Sequence, residues 1–216
     1  MSRLTLVTAS GLAREALAVV RLLTPDRQVR VLDDDPAAWG TTLDGAPVDG
    51  GLDLAGESVD DGLLVCAGRG ATRRALVSRL AALGVSEHRY DTVVHPSVEL
   101  PPTCIVSPGS IVLAQVALTT DVSLGRHVVL MPHVTLTHDD VIEDFATLCA
   151  GVSLGGNVRV AEGAYLGMSC SVREGLRVGA DAVLGMGAAL VRDLPDSQRW
   201  VGVPASPYTE HMLEVL

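Results

Sequence analysis

Aromatic side chains are scarce in this sequence: they make up only 3% of 216 residues, with one Phe, two Trp and three Tyr. A core without large rings must be packed from Leu, Val and Ala, within a hydrophobic fraction of 48%. So high an apolar content excludes an intrinsically disordered chain. Glycine, with 22 residues, is abundant, so the chain turns often. This composition is typical of a repetitive β architecture.

Cysteine pairs and long apolar runs are also missing. The four cysteines form no CxxC motif: Cys66, Cys104, Cys149 and Cys170. We expect all four to be reduced and to fill small spaces in the core. No segment approaches the ~20 apolar residues that cross a bilayer. Arg14 and Glu15 interrupt the first apolar segment, where a signal peptide needs continuity. The sequence therefore predicts a cytoplasmic protein without membrane insertion.

Positive charge is in short supply, because 16 Lys and Arg face 26 Asp and Glu and give a net charge of -10. An acidic surface repels a phosphate backbone, so we expect no nucleic-acid partner. A smaller anionic ligand, such as a nucleotide, would need backbone amides and a few well-placed cations.

The first 95 residues alternate between strand and helix patterns. Apolar strands are predicted at 3–8, 28–32, 63–67 and near 90–94, and helices at 12–23 and 71–83. Strands that alternate with helices indicate a parallel sheet. We therefore predict a small Rossmann-like α/β domain over residues 1–95, and a second domain over 96–216 that ends in a short tail.

A period of six residues dominates the second part. Every sixth residue is Leu, Ile or Val at Leu100, Val106, Val112, Leu118, Leu124, Leu130, Leu136, Ile142, Leu148, Leu154, Val160, Leu166, Val172, Val178, Leu184 and Leu190. A fixed short period indicates a solenoid. Three hexapeptides make one triangular coil of 18 residues, so about five coils form a parallel β-helix with these side chains inside. The glycines that follow several of them are expected to permit the tight turns.

A candidate acyl-transfer site follows from the coil length, because residues 18 apart stack on each other. His138 lies two residues past the inward Leu136, so it should point outward, with Asp139 beside it and Gly156 one coil above. The imidazole can take a proton from an attacking amine or hydroxyl, and the Asp can fix its tautomer. The Gly156 amide can stabilise an oxyanion, while Gly155 leaves room for the acyl donor.

A candidate nucleotide site lies in the first domain. Ser10 and Gly11 open the first helix, whose free N–H groups suit a phosphate. Asp33 ends the second strand, 22 residues after Gly11, where a carboxylate often contacts the ribose or base. After the third strand, Arg69, Arg73 or Arg74 could pair with a phosphate, or could be ordinary solvated helix charges.

The chain resembles the left-handed β-helix sugar acyltransferases, which acetylate UDP-4-amino-dideoxy sugars and are related to sialic acid O-acetyltransferases and perosamine N-acetyltransferases. The combination of an α/β prefix with a hexapeptide block carries this resemblance over nearly the whole chain. The matching motifs are Ala9–Gly11, Leu32–Asp34, Gly68, His138–Asp139, Gly155–Val158, Leu166–Gly167 and Val201–Ala205.

The resemblance implies direct transfer of an acetyl group from acetyl-CoA to a nucleotide-linked amino sugar, without a metal, in sites between the subunits of a homotrimer. It assigns His138 as the base, Asp139 as its support and the Gly156 amide as the group that polarises the thioester. The implied substrate contacts are Ser10, Gly11, Asp33, Asp34, Gly68 and Arg69. The implied acetyl-CoA contacts are Gly155, Gly156, Thr147, Gly167, Gly185, Val203 and Pro204. Thr147 stands where the family often has His, and Ser206 where it usually has a cation.

Three other functions stay open on the sequence alone. The acceptor could be a sugar hydroxyl, or the chain could be a sugar-nucleotide sensor that has kept the fold without catalysis. The third alternative is a zinc enzyme like the γ-class carbonic anhydrases, for which His133 and His138 have the spacing of one ligand pair. A third ligand at a matching position is not evident in the sequence.

Overall fold

The computed structural model describes residues 3–58 and 60–208, so most of the predicted C-terminal tail lies outside the described residues. The first part is a five-stranded sheet flanked by two helices, with strand order β3-β4-β2-β1-β5. Its elements are β1 Leu4–Val7, α1 Gly11–Leu23, β2 Val29–Leu32, β3 Thr42–Leu43, β4 Ala46–Gly50, β5 Gly62–Val65 and α2 Gly70–Ala82, with 3-10 turns at Pro36–Ala38, Leu52–Gly56 and Glu87–Arg89.

The predicted strands and helices of this part are present. β1 pairs in parallel with both β2 and β5 and is buried over its whole length. The helix α1 begins at Gly11 because Ser10 caps it, accepting a hydrogen bond from the Ala13 N–H at 3.1 Å. The hairpin of β3 and β4 was not predicted, because β3 has only two residues and β4 contains Pro47, Asp49 and Gly50, which are rare in strands. Within the described residues, neither helix is long enough to cross a bilayer.

The second part is a triangular parallel β-helix made of two-residue strands. They are β6 Val93–Val94, β7 Ile105–Val106, β8 Ile111–Val112, β9 Ala117–Leu118, β10 Ser123–Leu124, β11 Val129–Leu130, β12 Thr135–Leu136, β13 Val141–Ile142, β14 Thr147–Leu148, β15 Ser153–Leu154, β16 Arg159–Val160, β17 Tyr165–Leu166, β18 Ser171–Val172, β19 Arg177–Val178, β20 Val183–Leu184 and β21 Ala189–Leu190. β22 Arg199–Val201 and β23 Ser206–Pro207 close the end as an antiparallel pair.

The strands form three faces with the predicted 18-residue register. Face 1 contains β7, β10, β13, β16 and β19. Face 2 contains β6, β8, β11, β14, β17, β20, β22 and β23. Face 3 contains β9, β12, β15, β18 and β21. Leu124, for example, pairs with Ile142, which lies one coil later. The corner between faces 3 and 1, here called the third corner, comprises residues 119–122, 137–140, 155–158 and 173–176.

The aliphatic residues at every sixth position point inward and form one continuous core from Val112 to Leu190, as the six-residue period predicts. Its first two positions differ from the prediction. Leu100 lies outside every strand and is 43% exposed, and Val106 is only partly buried. The reason is that both lie at the open end of the solenoid, where fewer coils cover them.

The corners turn through left-handed residues rather than through the glycines that follow the inward positions. From Gly109 to Gly187 every sixth residue has positive φ, including Asp139 at +63° and Asn157 at +58°. The glycines expected to permit the turns serve a different purpose. A β-carbon on Gly155 would lie 2.6 Å from the backbone nitrogen of Glu174, in the next coil. Close approach between coils therefore requires glycine there.

The first part packs against face 2 of the solenoid. β6 pairs with β8 on that face, and the outward side chains of Ile111, Leu113 and Val129 join the core beneath α1 and β1. β6 lies just before the predicted domain boundary at residue 95, and the division into domains stays a prediction. This packing leaves the third corner on the side of the solenoid opposite the first part.

Candidate active site

His138 and Asp139 lie together at the third corner. The side chain of His138 points outward and is 63% exposed, and its Nδ1 lies 2.8 Å from Oδ2 of Asp139. The left-handed backbone of Asp139 makes the corner that brings this carboxylate beside the ring. A carboxylate on Nδ1 favours the tautomer with a proton there, so Nε2 is left with a free lone pair. The structure brings the two predicted residues together, and the arrangement suits a general base.

Gly156 lies directly against the His138 ring. The Asn157 N–H donates to the carbonyl of His138 at 2.8 Å, which holds the two corners together. A β-carbon on Gly156 would lie 2.9 Å from Cδ2 of His138 and closer still to Nε2 and Cε1. In the part of the chain that the structure describes, the Gly156 N–H donates no hydrogen bond. A basic nitrogen and a free amide donor therefore lie side by side, as acyl transfer requires.

Asp140 is a buried carboxylate that sequence reasoning missed. Its Oδ2 accepts from the Thr137 N–H at 2.8 Å and its Oδ1 accepts from the Val158 N–H at 2.9 Å. Burial raises the pKa of Asp140 to about 6, against the opposing effect of these two hydrogen bonds. A signal was available in the sequence: Asp140 stands two residues before Ile142, where most other repeats have a small or apolar residue.

The predicted nucleotide contacts in the first turn also hold the turn together. The Ser10 hydroxyl donates to the carbonyl of Cys66 and caps α1. The carboxylate of Asp33 accepts from the Ala9 N–H at 2.6 Å and from the Asp35 N–H at 2.8 Å. Asp33 therefore shapes the strand-to-helix turn, a role that the sequence did not reveal.

Asp34 and Gly11 are placed differently. Asp34 is exposed and pairs with Arg79 of α2, whose hydrogen bond lowers the pKa of this carboxyl. Gly11 is exposed at the N-terminus of α1, with nothing within 4 Å of where a β-carbon would stand. The open space in front of Gly11 is compatible with the predicted approach of a phosphate to the helix N-terminus.

The three arginines after β5 have different environments. Arg69 is exposed and stacks over the ring of Tyr165 at 4.8 Å. Arg74 pairs with Glu162 at 2.9 Å and with a second acid at 2.7 Å, Asp181. Arg73 cannot contact a phosphate, which corrects the prediction. Its side chain is fully buried and is used entirely within the chain.

The Arg73 guanidinium joins the two parts of the chain. It donates to the carbonyls of Ala67, Gly68, His127, Phe145 and Ala146 and to the Thr147 hydroxyl. Burial lowers the pKa of Arg73 to about 10, so the group stays charged at neutral pH. Because Arg73 donates to the carbonyl of the exposed Gly68, it fixes the loop that is predicted to contact the substrate.

Two of the predicted acetyl-CoA contacts need correction. Thr147 is buried, and its hydroxyl donates to the Gly68 carbonyl at 3.0 Å and accepts from Arg73, so its side chain cannot reach a ligand. Gly167 is buried in the wall, where a β-carbon would lie 2.5 Å from the nitrogen of Met186. The interface between the two parts of the chain accounts for Thr147, and packing between coils accounts for Gly167.

The remaining predicted donor contacts are accessible to differing degrees. Gly155 and Gly185 are half-buried, and a β-carbon on Gly185 would lie 2.6 Å from Val201. Val203 is 76% exposed and precedes the exposed Pro204 through a cis peptide bond. Val203 and Pro204 therefore remain free to contact a ligand at the C-terminal end of the solenoid.

A metal centre finds no support in the geometry. Across residues 3–58 and 60–208, no group of three or more His, Cys, Asp or Glu side chains is arranged to hold an ion. The cysteines are unpaired, and Cys66, Cys149 and Cys170 are buried.

The fold and site define a left-handed β-helix with a Rossmann-like N-terminal part and a His–Asp pair at one corner. Solved acetyltransferases, among them a perosamine N-acetyltransferase, share this architecture with the chain, which confirms the fold and the resemblance predicted from the sequence. No protein-family model matches the chain.

Two solved structures match the chain along nearly their whole length. The acetyltransferase domain of PglB from Neisseria gonorrhoeae is 27% identical, with a TM-score of 0.88, over 96% of this chain and 100% of that one. It has also been solved in complex with acetyl coenzyme A. A histidine-to-asparagine mutant of perosamine N-acetyltransferase from Caulobacter crescentus, in complex with CoA and GDP-perosamine, is 28% identical, with a TM-score of 0.88, over 97% of this chain and 98% of that one.

Curated relatives match a shorter region. A UDP-3-O-acylglucosamine N-acyltransferase from Methylobacterium sp. (strain 4-46) is 26% identical over 111 residues, or 51% of this chain and 26% of that protein. The chain spans less than half the length of the curated relatives that it matches.

Proposed function

We propose that the chain is an N-acetyltransferase, which transfers the acetyl group of acetyl-CoA to the amine of a nucleotide-linked sugar. The observation that carries the proposal is the position of His138 Nε2 against Gly156, whose N–H is free. The structural neighbours support it, because complexes with acetyl coenzyme A, and with CoA and GDP-perosamine, are known for proteins that share this fold.

The chemistry follows from the third corner. The amine nitrogen of the sugar attacks the carbonyl carbon of the thioester, and His138 Nε2 removes a proton from that amine. The Gly156 N–H donates to the carbonyl oxygen while negative charge develops there. Asp139 stabilises the imidazolium through Nδ1. The carbon–sulfur bond then breaks, and the proton held by His138 passes to the departing thiolate. The products are an N-acetylated sugar and CoA.

The two halves of the proposed site cannot meet within one chain. The predicted substrate residues Gly11 and Asp33 belong to the part that covers face 2, whereas His138 lies at the opposite corner. We infer that a second copy brings its nucleotide-binding part to His138, and that the assembly is a C3 homotrimer. Analytical ultracentrifugation at micromolar concentration tests this, and a stable monomer with full activity would contradict it.

The substrate that we infer is a UDP-linked 4-amino-4,6-dideoxy sugar. Purified protein is incubated with acetyl-CoA and with UDP-4-amino sugars, GDP-perosamine or their 4-hydroxy counterparts. The masses of the products are then measured by mass spectrometry. We expect a gain of one acetyl group on the UDP-linked amine. Transfer to the GDP-linked amine alone would show that the substrate carries GDP and not UDP. Transfer to a hydroxyl alone would support the O-acetyltransferase alternative. Binding of a sugar nucleotide without turnover of any acceptor would favour a sensor.

A further inference from the structure

Asp140 is a carboxylate inside the solenoid, in a column of apolar side chains. The residues that stack with it at 18-residue intervals are Cys104, Val122, Val158 and Leu176. Asp140 itself has no exposed surface. Since Val122 and Val158 occupy equivalent positions in adjacent coils, the fold does not need a carboxylate here.

Burial of this carboxylate is unfavourable for the native state. An ionised carboxyl without solvent loses hydration free energy, and the raised pKa of Asp140 reflects that loss. At neutral pH the group therefore destabilises the fold relative to an apolar residue that fills the same space. A costly residue at a position where Val is accepted calls for an explanation other than stability.

The contacts of Asp140 supply one. Its Oδ2 accepts from the N–H of Thr137, the residue immediately before His138. Its Oδ1 accepts from the N–H of Val158, two residues after Gly156. The carboxylate thus spans the two stacked corners, one carrying the basic nitrogen and the other the free amide.

Ser110 provides an internal comparison at another corner, between faces 1 and 2, away from His138. Its hydroxyl accepts from the Val128 N–H at 3.0 Å, one coil later, and donates to the Gly125 carbonyl at 2.9 Å. At several other corners the equivalent N–H is satisfied by a local turn, as when Ala164 donates to the carbonyl of Ala161 at 3.2 Å. Side-chain bridging between coils is therefore a local addition and not a general requirement of the solenoid.

We propose that Asp140 is a positioning residue, which sets the His138 ring against Gly156 by tying their two corners together. The proposal rests on the acetyltransferase function proposed above. Its expected signature is a fall in kcat with little change in KM, because the two corners position the reacting groups, whereas most of the predicted substrate and acetyl-CoA contacts lie on other residues.

The test compares three variants of the full chain: Asp140→Val, Asp140→Asn and, as a control that also loses a bridge between coils, Ser110→Val. We expect Asp140→Val to fold and assemble, and to lose about tenfold to a hundredfold in kcat with both KM values nearly unchanged. Asp140→Asn keeps one oxygen acceptor and should recover part of kcat. Ser110→Val should keep the wild-type kcat.

Amide hydrogen exchange provides a readout that does not depend on activity. Exchange across residues 137–140 and 155–158 should be faster in Asp140→Val than in the wild type and unchanged there in Ser110→Val. Wild-type kcat in Asp140→Val, or an equal loss in Ser110→Val, would overturn the positioning role. A wild type that turns over no acceptor would overturn the proposed function instead, and unchanged exchange at the two corners would still refute the tie that Asp140 makes.

Discussion

Gly156→Ala is the change that most selectively disturbs the proposed site. The added methyl carbon would lie 2.9 Å from Cδ2 of His138 and nearer to Nε2 and Cε1, against ordinary contacts of ~3.5 Å or more. The ring must therefore move by roughly 1 Å, and a misplacement of that size costs about 10²-fold in rate, or roughly 3 kcal/mol of barrier. We expect kcat to fall by at least about that factor.

Stability should hardly change in Gly156→Ala. The backbone at residue 156 does not have a left-handed φ, so alanine fits without strain, and the ring that moves is largely exposed. A change within about 1 kcal/mol is expected. The matched control is Gly84→Ala, where φ is +82° and nothing lies within 4 Å of the new carbon. It should lose about 1 kcal/mol of stability while keeping kcat.

Steady-state kinetics on the best acceptor and urea unfolding distinguish the two variants. The structure predicts that Gly156→Ala loses activity and keeps its stability. It predicts that Gly84→Ala loses stability and keeps its activity. If Gly156→Ala turns over at the wild-type rate, the ring of His138 does not act from its position against Gly156, and the reasoning is refuted.

Two further predictions concern the fold. Leu154→Asp places a carboxylate in the solenoid core, where Leu154 is 3% exposed; it should abolish folding, whereas Glu162→Ala, which removes an exposed ion pair worth at most about 1 kcal/mol, should be nearly neutral. Equal unfolding midpoints would contradict the register. The pKa of His127 is lowered to about 4, chiefly by burial, so the unfolded chain binds a proton first as pH falls. The raised pKa of Asp140, about 6, acts in the opposite direction over the same range. Relative to the wild type, His127→Asn should therefore gain stability as pH falls from about 6.5 towards 4, by up to roughly 3 kcal/mol, in urea unfolding measured across this range.

The repetitive part of the fold could be predicted from the sequence because one physical pattern repeats. An inward aliphatic residue at every sixth position defines the coil, and the coil length alone places Gly156 against His138. The ends could not be predicted in the same way. Leu100 keeps the period but is exposed, because burial depends on a neighbouring coil that the local pattern does not reveal.

Residues that act over long distances were harder to assign. Arg73 was considered a possible phosphate ligand, but it lies in the interface between the two parts of the chain, which no local pattern shows. The predicted acetyl-CoA contact of Thr147 is wrong for the same reason, because its hydrogen-bond partner, the Gly68 carbonyl, is 79 residues away in the sequence. Asp140 was visible as a break in the apolar column, although its hydrogen bonds to two corners could be read only from the structure.

The central claim is that His138 is the base of an acetyl transfer. The most direct test is the turnover number of His138→Ala with acetyl-CoA and the best nucleotide-linked amino sugar, measured beside binding of both substrates by calorimetry. Because the side chain is exposed and makes its hydrogen bond to Asp139, the fold and substrate binding should survive. We predict a loss of about 10²- to 10⁴-fold in kcat, as is usual when a general base is removed. Turnover close to that of the wild type would contradict the account.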